Sequence, residues 1–183
     1  MFAVKKARGG KRLILAVALV TVVFVAIGGY LLVNDGYASV QGIYIKMFDW
    51  TRCYSDSPSP HLNVTTNAIF LSSTHPSTLD TVIRAAKFTL KIDSLILGVF
   101  QLPYDTYFSS VHDSLPWLRY TVFNSTLART VVQTNSSIVL LTMNAVAETL
   151  FYKRAVETSD SANITWKPSV QTDSPGCQYG QSS

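Results

Sequence analysis

The sequence is poor in the residues that build metal sites and catalytic centres. It has three histidines and two cysteines, and the spacing of His61, His75 and His112 matches no zinc-binding motif. It contains no Gly-x-Ser-x-Gly turn, no Gly-x-Gly-x-x-Gly turn and no phosphate-cradling loop. The sequence therefore predicts no enzyme activity, no metal ion and no cofactor.

One polar segment carries side chains of the kinds found in catalytic triads, namely Asp105, Ser109, Ser110, His112 and Asp113. A triad is defined by the geometry of its side chains and not by their proximity in sequence. The strand–turn–helix context of a nucleophilic serine is missing around these residues. We therefore interpret the segment as a polar loop.

No acidic residue precedes Asp35, whereas five of the 15 basic residues do. These five are Lys5, Lys6, Arg8, Lys11 and Arg12. The ten remaining basic residues face 11 acidic ones, so the chain after Asn34 has a net charge of −1 although the whole chain has +4. Because the body carries no excess of positive charge, the sequence predicts no nucleic-acid partner.

Residues 13–33 contain no ionisable side chain except Tyr30. As a helix this run is about 32 Å long, enough to cross a hydrocarbon core of roughly 30 Å. The basic cluster before it predicts a cytosolic N-terminus, with the rest of the chain extracellular or luminal. The alternative is a cleaved signal peptide, for which Gly36-Tyr37-Ala38 offers a small-x-small site. We favour an uncleaved signal-anchor in the lipid bilayer because the run exceeds the usual apolar core of a signal peptide.

Two further features favour an outer compartment for the body. Asn63, Asn124, Asn135 and Asn163 each begin an Asn-x-Ser/Thr glycosylation sequon, and all four follow the apolar run. The only two cysteines, Cys53 and Cys177, flank the body. A disulfide between them is predicted, and the alternatives are two unrelated thiols or an intermolecular bridge.

The chain divides by composition into five parts. They are a basic cytosolic tail (1–12), a transmembrane helix (13–33), a juxtamembrane connector (34–61), a β-sandwich domain (62–168) and a polar C-terminal tail (169–183). The connector ends in a Ser- and Pro-rich stretch, which is typical of a loop.

The body has the pattern of an all-β domain. Phe88, Leu90 and Ile92 alternate with polar residues, which predicts a half-buried strand, and Asp93-Ser94 predicts the turn after it. Residues 77–86 fit either a short helix or the start of that strand, and we favour the strand. Further strands are predicted at 63–71, 95–102, 118–123, 127–134, 138–143, 147–154 and 163–166. Short strands at this spacing predict an Ig/fibronectin-like β-sandwich.

Three stretches have the sequence pattern of a known family: 68–77 (AIFLSSTHPS), 88–98 (FTLKIDSLILG) and the pair Leu102-Pro103. The chain resembles the membrane-anchored late-embryogenesis-abundant type 2 family over about 40 residues. It departs from that family at His75-Pro76, where the family has Asn-Pro, and at Asp93-Ser94, where the family has a glycine. The resemblance implies a basic tail, one anchor helix, an outer β-sandwich and a binding or structural role without catalytic residues.

Aromatic residues gather in the longest interruption of the strand pattern, residues 102–117. Tyr104, Tyr107, Phe108 and Trp117 are the candidates for a partner-binding loop, because aromatic anchors dominate recognition sites and long loops often carry them. The alternative is that these residues, together with Trp166, belong to the core or lie near the membrane.

The sequence thus predicts a single-pass type II membrane glycoprotein. Its outer β-sandwich is expected to act as a binding or structural module at the cell envelope, with a protein partner. One alternative is an accessory subunit of a larger membrane assembly or a viral envelope glycoprotein. Another is a secreted β-sandwich protein released by signal-peptide cleavage.

Overall fold

The computed structural model describes residues 7–47, 49–56, 58–66, 69–75, 80–102, 105–108, 113–115, 119–168 and 177–182. These residues form the helices α1 (Ala7–Gln41) and α2 (Ser125–Gln133) and twelve strands. The strands are β1 (Ile43–Met47), β2 (Asp49–Ser55), β3 (His61–Thr66), β4 (Ile69–Ser73), β5 (Thr81–Ile92), β6 (Leu95–Gln101), β7 (Thr106–Phe108), β8 (Asp113–Leu115), β9 (Arg119–Val122), β10 (Ser136–Glu148), β11 (Lys153–Pro168) and β12 (Cys177–Ser182).

In the described part of the chain, the strands form two antiparallel sheets. The smaller has three strands in the order β1-β4-β8. The larger has nine, in the order β6-β5-β10-β11-β12-β2-β3-β9, with β7 paired to β5. The long hairpin of β10 and β11 pairs without interruption from Ser136↔Thr165 to Glu148↔Lys153 and forms the spine of the larger sheet.

The larger sheet curls until its two ends meet. Gly98 of β6 lies against Tyr120 of β9, and a Cβ at Gly98 would overlap the tyrosine ring. A glycine is therefore required where the first and last strands of the sheet approach each other. The domain is barrel-like, which confirms the prediction of an all-β domain after an apolar helix.

The core follows from the alternation of side chains along the strands. Val139, Leu141 and Met143 of β10 are fully buried, while the residues between them face outward. Ile45 of β1 and Leu71 of β4 are buried in the same hydrophobic cluster, so both sheets enclose one core.

Helix α1 is apolar on all sides over most of its length. Within its segment Arg12–Gln41, a stretch of 18 residues has a mean hydropathy of 2.6, and no residue of that stretch is buried in the domain. By length and composition this helix can cross a membrane.

Two predicted boundaries are corrected by the structure. The proposed connector, residues 34–61, contains the end of α1, all of β1 and all of β2, and β2 lies inside the larger sheet. The proposed C-terminal tail contains β12, which pairs with β11 and β2. Sequence composition did not reveal these strands because β2 and β12 pair with each other, across a separation of 124 residues at Cys53 and Cys177.

Four predicted strands are also corrected. Residues 127–133 of the predicted strand 127–134 belong to helix α2, whose N-terminus is capped by the Asn124 side chain, which accepts hydrogen bonds from the amides of Thr126 and Leu127. Residues 147–154 contain the turn between β10 and β11, and residues 63–71 divide into β3 and β4. The segment 163–166 is not a separate strand but part of β11.

The segment that fitted either helix or strand is a strand from Thr81 onward, and residues 77–79 lie outside the described residues. The predicted turn at Asp93-Ser94 is present and joins β5 to β6. Asp93 adopts a φ of 53°, a left-handed conformation that aspartate tolerates, so the turn forms without the glycine of the late-embryogenesis-abundant pattern.

Candidate functional site

Helix α1 enters the domain without a linker. Gly42 donates its amide to the carbonyl of Ala38 (3.0 Å) and separates α1 from β1 by a single residue. Ser39 and Val40, in the last turn of α1, are buried. The hydroxyl of Ser73 donates to the carbonyl of Ser39 (2.7 Å), which ties the end of the helix to β4.

The last turns of α1 and strand β1 run alongside the β10–β11 turn and β11 in the same order of residue numbers. Tyr37 packs edge-to-face on Tyr152, with ring centroids 5.0 Å apart. Further on, Val40 and Ile43 line a cleft with residues 154–157. The amide of Met47 then donates to Asp160 Oδ2 (2.7 Å). The β10–β11 turn is therefore the part of this hairpin that lies closest to the apolar part of α1.

We call this side the near end of the domain. It comprises the last turns of α1, the β10–β11 turn and the start of β5, where the hydroxyls of Ser39 and Thr81 are 3.3 Å apart. The opposite side, where Ser136 pairs with Thr165, is the far end.

The β10–β11 turn exposes two large apolar side chains. Leu150 is 73% exposed and Phe151 is 50% exposed. The turn is closed by the Thr149 amide, which donates to the carbonyl of Tyr152 (2.7 Å). Turns are usually built from Gly, Pro, Asn, Asp and Ser, so a Leu-Phe pair in this turn is unusual. We therefore consider the turn a candidate contact surface.

Part of the predicted partner-binding loop also lies at the near end. Strand β7 pairs with the start of β5, with Tyr107 opposite Val82, and the Tyr107 side chain is 63% exposed. Phe108 ends β7. Tyr104 and Trp117 lie outside the described residues. Trp166 is not part of this surface, because it is buried in the domain.

Charged side chains surround these apolar ones. Arg84 pairs with Asp105 and donates to Glu148 Oε2 (2.8 Å), and Lys153 lies 3.5 Å from the same carboxylate. The hydrogen bond from Arg84 lowers the pKa of Glu148, and the same bond, with the charge of Asp105, raises the pKa of Arg84. These charges are mutually compensated, so the near end has no strong charge of one sign.

A second polar cluster lies inside the domain around Arg52, which is almost completely buried. Its guanidinium donates to the carbonyls of Val131 and Thr134 at the end of α2 and to Gln178 Oε1 (2.6 Å). It also stacks on Trp166, 4.3 Å from the ring centroid. Burial lowers the pKa of Arg52 to about 10. The cluster joins α2, β2, β11 and β12, and its role is structural.

The predicted disulfide is present. Cys53 and Cys177 are directly opposite each other on β2 and β12, and their sulfurs are bonded. The bond joins positions 124 residues apart and fixes the last strand to the sheet.

The four sequons lie away from the near end. Asn124 and Asn135 are exposed at the two ends of α2, and Asn163 is opposite Ile138, close to the far end. Asn63 is half-buried on β3, where its Oδ1 accepts a hydrogen bond from the hydroxyl of Thr121 (2.8 Å).

The described residues offer little for catalysis. No three His, Cys, Asp or Glu side chains among them are grouped so that they could hold a metal ion. Asp105 is paired with Arg84, and Asp113 is in β8. Ser109, Ser110 and His112, the remaining polar residues considered above, lie outside the described residues.

Comparisons with known proteins assign no function. No protein-family model matches the chain, and no curated protein is similar to it in sequence. A crystal structure of a protein from Archaeoglobus fulgidus is similar in fold at 7% sequence identity, with a TM-score of 0.40, over 69% of this chain and 97% of that chain. A likeness this distant assigns neither a family nor an activity.

Sequence reasoning missed the apolar β10–β11 turn and the buried arginine. The signal for the turn is present in the sequence, because Leu150-Phe151 is followed by Tyr152 and two basic residues. The sequence pattern predicts a strand at 147–154, so it does not show that this apolar pair lies in a turn. No local signal marks Arg52, because its partners come from three elements that are distant in the chain, α2, β11 and β12.

Proposed function

We propose that this protein is a single-pass membrane protein whose outer β domain acts as a binding or structural module. The observation that carries the proposal is the continuity of α1, an apolar helix whose last turn is buried in the domain. A signal helix that was cleaved after Ala38 would not leave Tyr37 in the chain to pack on Tyr152.

We further propose that the N-terminus is cytosolic and the domain extracellular or luminal. The basic cluster before α1 supports this orientation by the positive-inside rule. The disulfide supports an oxidising compartment. The exposed positions of Asn124, Asn135 and Asn163 support glycosylation on that side.

For the fold, we propose that the three-stranded sheet is the second layer of a sandwich of the Ig/fibronectin type. The shared core of Ile45, Leu71 and Leu141 supports this. The relationship to the late-embryogenesis-abundant type 2 family is a proposal on the same footing, supported by an apolar helix followed by a β domain.

The second candidate is an accessory subunit of a larger membrane assembly or a viral envelope glycoprotein. The exposed aromatic side chain of Tyr107, opposite Val82 at the start of β5, supports a protein or lipid contact at the near end. Stoichiometric co-purification of a partner after mild detergent extraction would favour it over a module that acts alone.

The test is expression of the full chain in a eukaryotic cell, followed by glycosidase treatment and intact mass measurement. The expected result is an unprocessed N-terminus and a loss of mass on deglycosylation. A matched control is Thr126→Ala, which removes the Asn124 sequon but leaves the Asn124 side chain to cap α2. An unglycosylated chain would contradict the luminal orientation, and a glycosylated chain starting near Ser39 would support the secreted alternative.

A further inference from the structure

We infer that the β10–β11 turn, with Leu150 and Phe151 at its tip, inserts into the headgroup region of the same bilayer that α1 crosses. The inference rests on the proposed membrane anchoring of α1. The turn would be a second membrane contact of the domain, beside the helix.

The first argument is position. Gly36 lies against Thr149, so that a Cβ at Gly36 would be 2.8 Å from the threonine Oγ1. Gly36 is three residues beyond the last residue of the apolar run, Val33, which corresponds to about 4.5 Å along a helix. The headgroup region on each side of a bilayer is roughly 5–8 Å thick. The turn therefore lies at the depth of the headgroups when the apolar run fills the hydrocarbon core.

The second argument is direction. Tyr152 in the turn contacts Tyr37 of α1, and Asp160 of β11 accepts a hydrogen bond from the later residue Met47 of β1. Between them, residues 154–157 of β11 line a cleft with Val40 and Ile43. The residues of β11 therefore lie farther from the apolar part of α1 as their residue numbers increase from the turn. Because Leu150 and Phe151 form the tip of the turn, next to Tyr152, they are the residues of the hairpin that lie closest to the apolar part of α1.

The third argument is chemistry. Phe151 and Leu150 are exposed and apolar, and the next residue, Tyr152, packs on Tyr37. Tyr107 is exposed on the same end of the domain, opposite Val82, which pairs with Glu148. Amphipathic aromatic side chains are enriched at the boundary between hydrocarbon and water. Such a patch suits a lipid interface without a requirement for anionic headgroups, since Arg84 and Lys153 are paired with Asp105 and Glu148.

The test places an environment-sensitive fluorophore on single cysteines introduced into the full chain. The native cysteines are joined in a disulfide and do not react with maleimides under non-reducing conditions. The variants Leu150→Cys and Phe151→Cys report on the turn. Ile138→Cys is the matched control, because Ile138 is in the same hairpin, on β10, but lies at the far end and is 58% exposed. Leu19→Cys reports on α1.

The labelled proteins are reconstituted into phosphatidylcholine vesicles that contain lipids spin-labelled near the headgroup or deep in the acyl chain. We expect the probes at 150 and 151 to be quenched several-fold more by the shallow label than the probe at 138, and the probe at 19 to be quenched by the deep label. Added anionic lipid should not change this order.

The outcomes separate this inference from the proposed function. Quenching at 19 with none at 150 or 151 would overturn the turn insertion and leave the anchor intact. No quenching at any of the positions would overturn both. Equal quenching at 138 and 150, or quenching at 150 that requires anionic lipid, would also overturn insertion by the apolar turn. Each variant is first checked for an intact disulfide and a cooperative thermal transition.

Discussion

Tyr37 and Tyr152 hold the end of the apolar helix to the turn of the long hairpin, ring edge against ring face at 5.0 Å. This contact and the buried residues after it make α1 part of the domain and not an attached tether. We expect Tyr37→Ala to lower the free energy of unfolding of the domain by about 1–2 kcal/mol, because an aromatic pair and its buried area are lost. Chemical denaturation of detergent-solubilised protein measures it. The control is Tyr30→Ala in the exposed part of α1, and an equal effect of both changes would contradict the contact.

The disulfide should contribute strongly to stability because it closes a very long loop. The two cysteines are 124 residues apart, and the chain-entropy model gives roughly 4–5 kcal/mol for a loop of that length. We expect the double variant Cys53→Ser/Cys177→Ser to lose most of this amount in urea unfolding. Reduction of the native protein should have the same effect as the double substitution. A transition midpoint that reduction leaves unchanged would show that the bond does not stabilise the fold.

Arg52 should be irreplaceable even by lysine. Its planar guanidinium serves two carbonyls at the end of α2 and Gln178 while stacking on Trp166, whereas an ammonium group has neither the shape nor the stacking face. We expect Arg52→Lys to lower the free energy of unfolding by about 2–4 kcal/mol. Arg154→Lys, at an exposed position, should change it by less than about 0.5 kcal/mol. Similar values for the two changes would contradict the role of the buried cluster.

Closure of the larger sheet depends on Gly98. A methyl group at this position would overlap the Tyr120 ring, so we expect Gly98→Ala to destabilise the domain by about 1–3 kcal/mol. A second substitution, Tyr120→Leu, removes the ring and should reduce the additional cost of Gly98→Ala, as measured by a double-mutant cycle. Additive effects would mean that β6 and β9 do not meet there.

The charged cluster of the near end should make the stability of the domain depend on pH in the acid range. The hydrogen bond from Arg84 lowers the pKa of Glu148 in the folded state. The stabilisation is therefore fully present above the unfolded pKa of about 4.3 and is lost as the pH falls through the lower folded value. We expect Glu148→Gln to weaken the loss of stability between about pH 5 and pH 3. A pH profile that this substitution leaves unchanged would contradict the assignment, and the measurement is the midpoint of thermal unfolding.

The parts of the fold that sequence predicted are those that depend on local patterns. The apolar run predicted α1, and the alternation of Phe88, Leu90 and Ile92 predicted β5. Segments whose structure depends on distant partners were missed. Strands β2 and β12 are held by each other and by the Cys53–Cys177 bond, which no local pattern shows.

Helix α2 shows a different reason for failure. Its sequence is rich in Val and Thr, which favour strands, yet the Asn124 cap and the burial of Ala128 and Val131 against the domain favour a helix. The predicted partner loop stays a prediction, and one of its residues, Tyr107, lies on an exposed surface. Its position beside the end of α1 required the pairing of β7 with β5, which is not visible in the sequence.

The central claim is that α1 crosses a membrane and the β domain lies on the side opposite the N-terminus. The most direct measurement is the reaction of a membrane-impermeant maleimide with sealed microsomes that carry Ala3→Cys or Ile138→Cys in the full chain. The account predicts that the cysteine at position 3 reacts on intact vesicles and that the one at position 138 reacts only after detergent is added. Reaction of position 138 on intact vesicles, or release of the protein by alkaline carbonate, would contradict it.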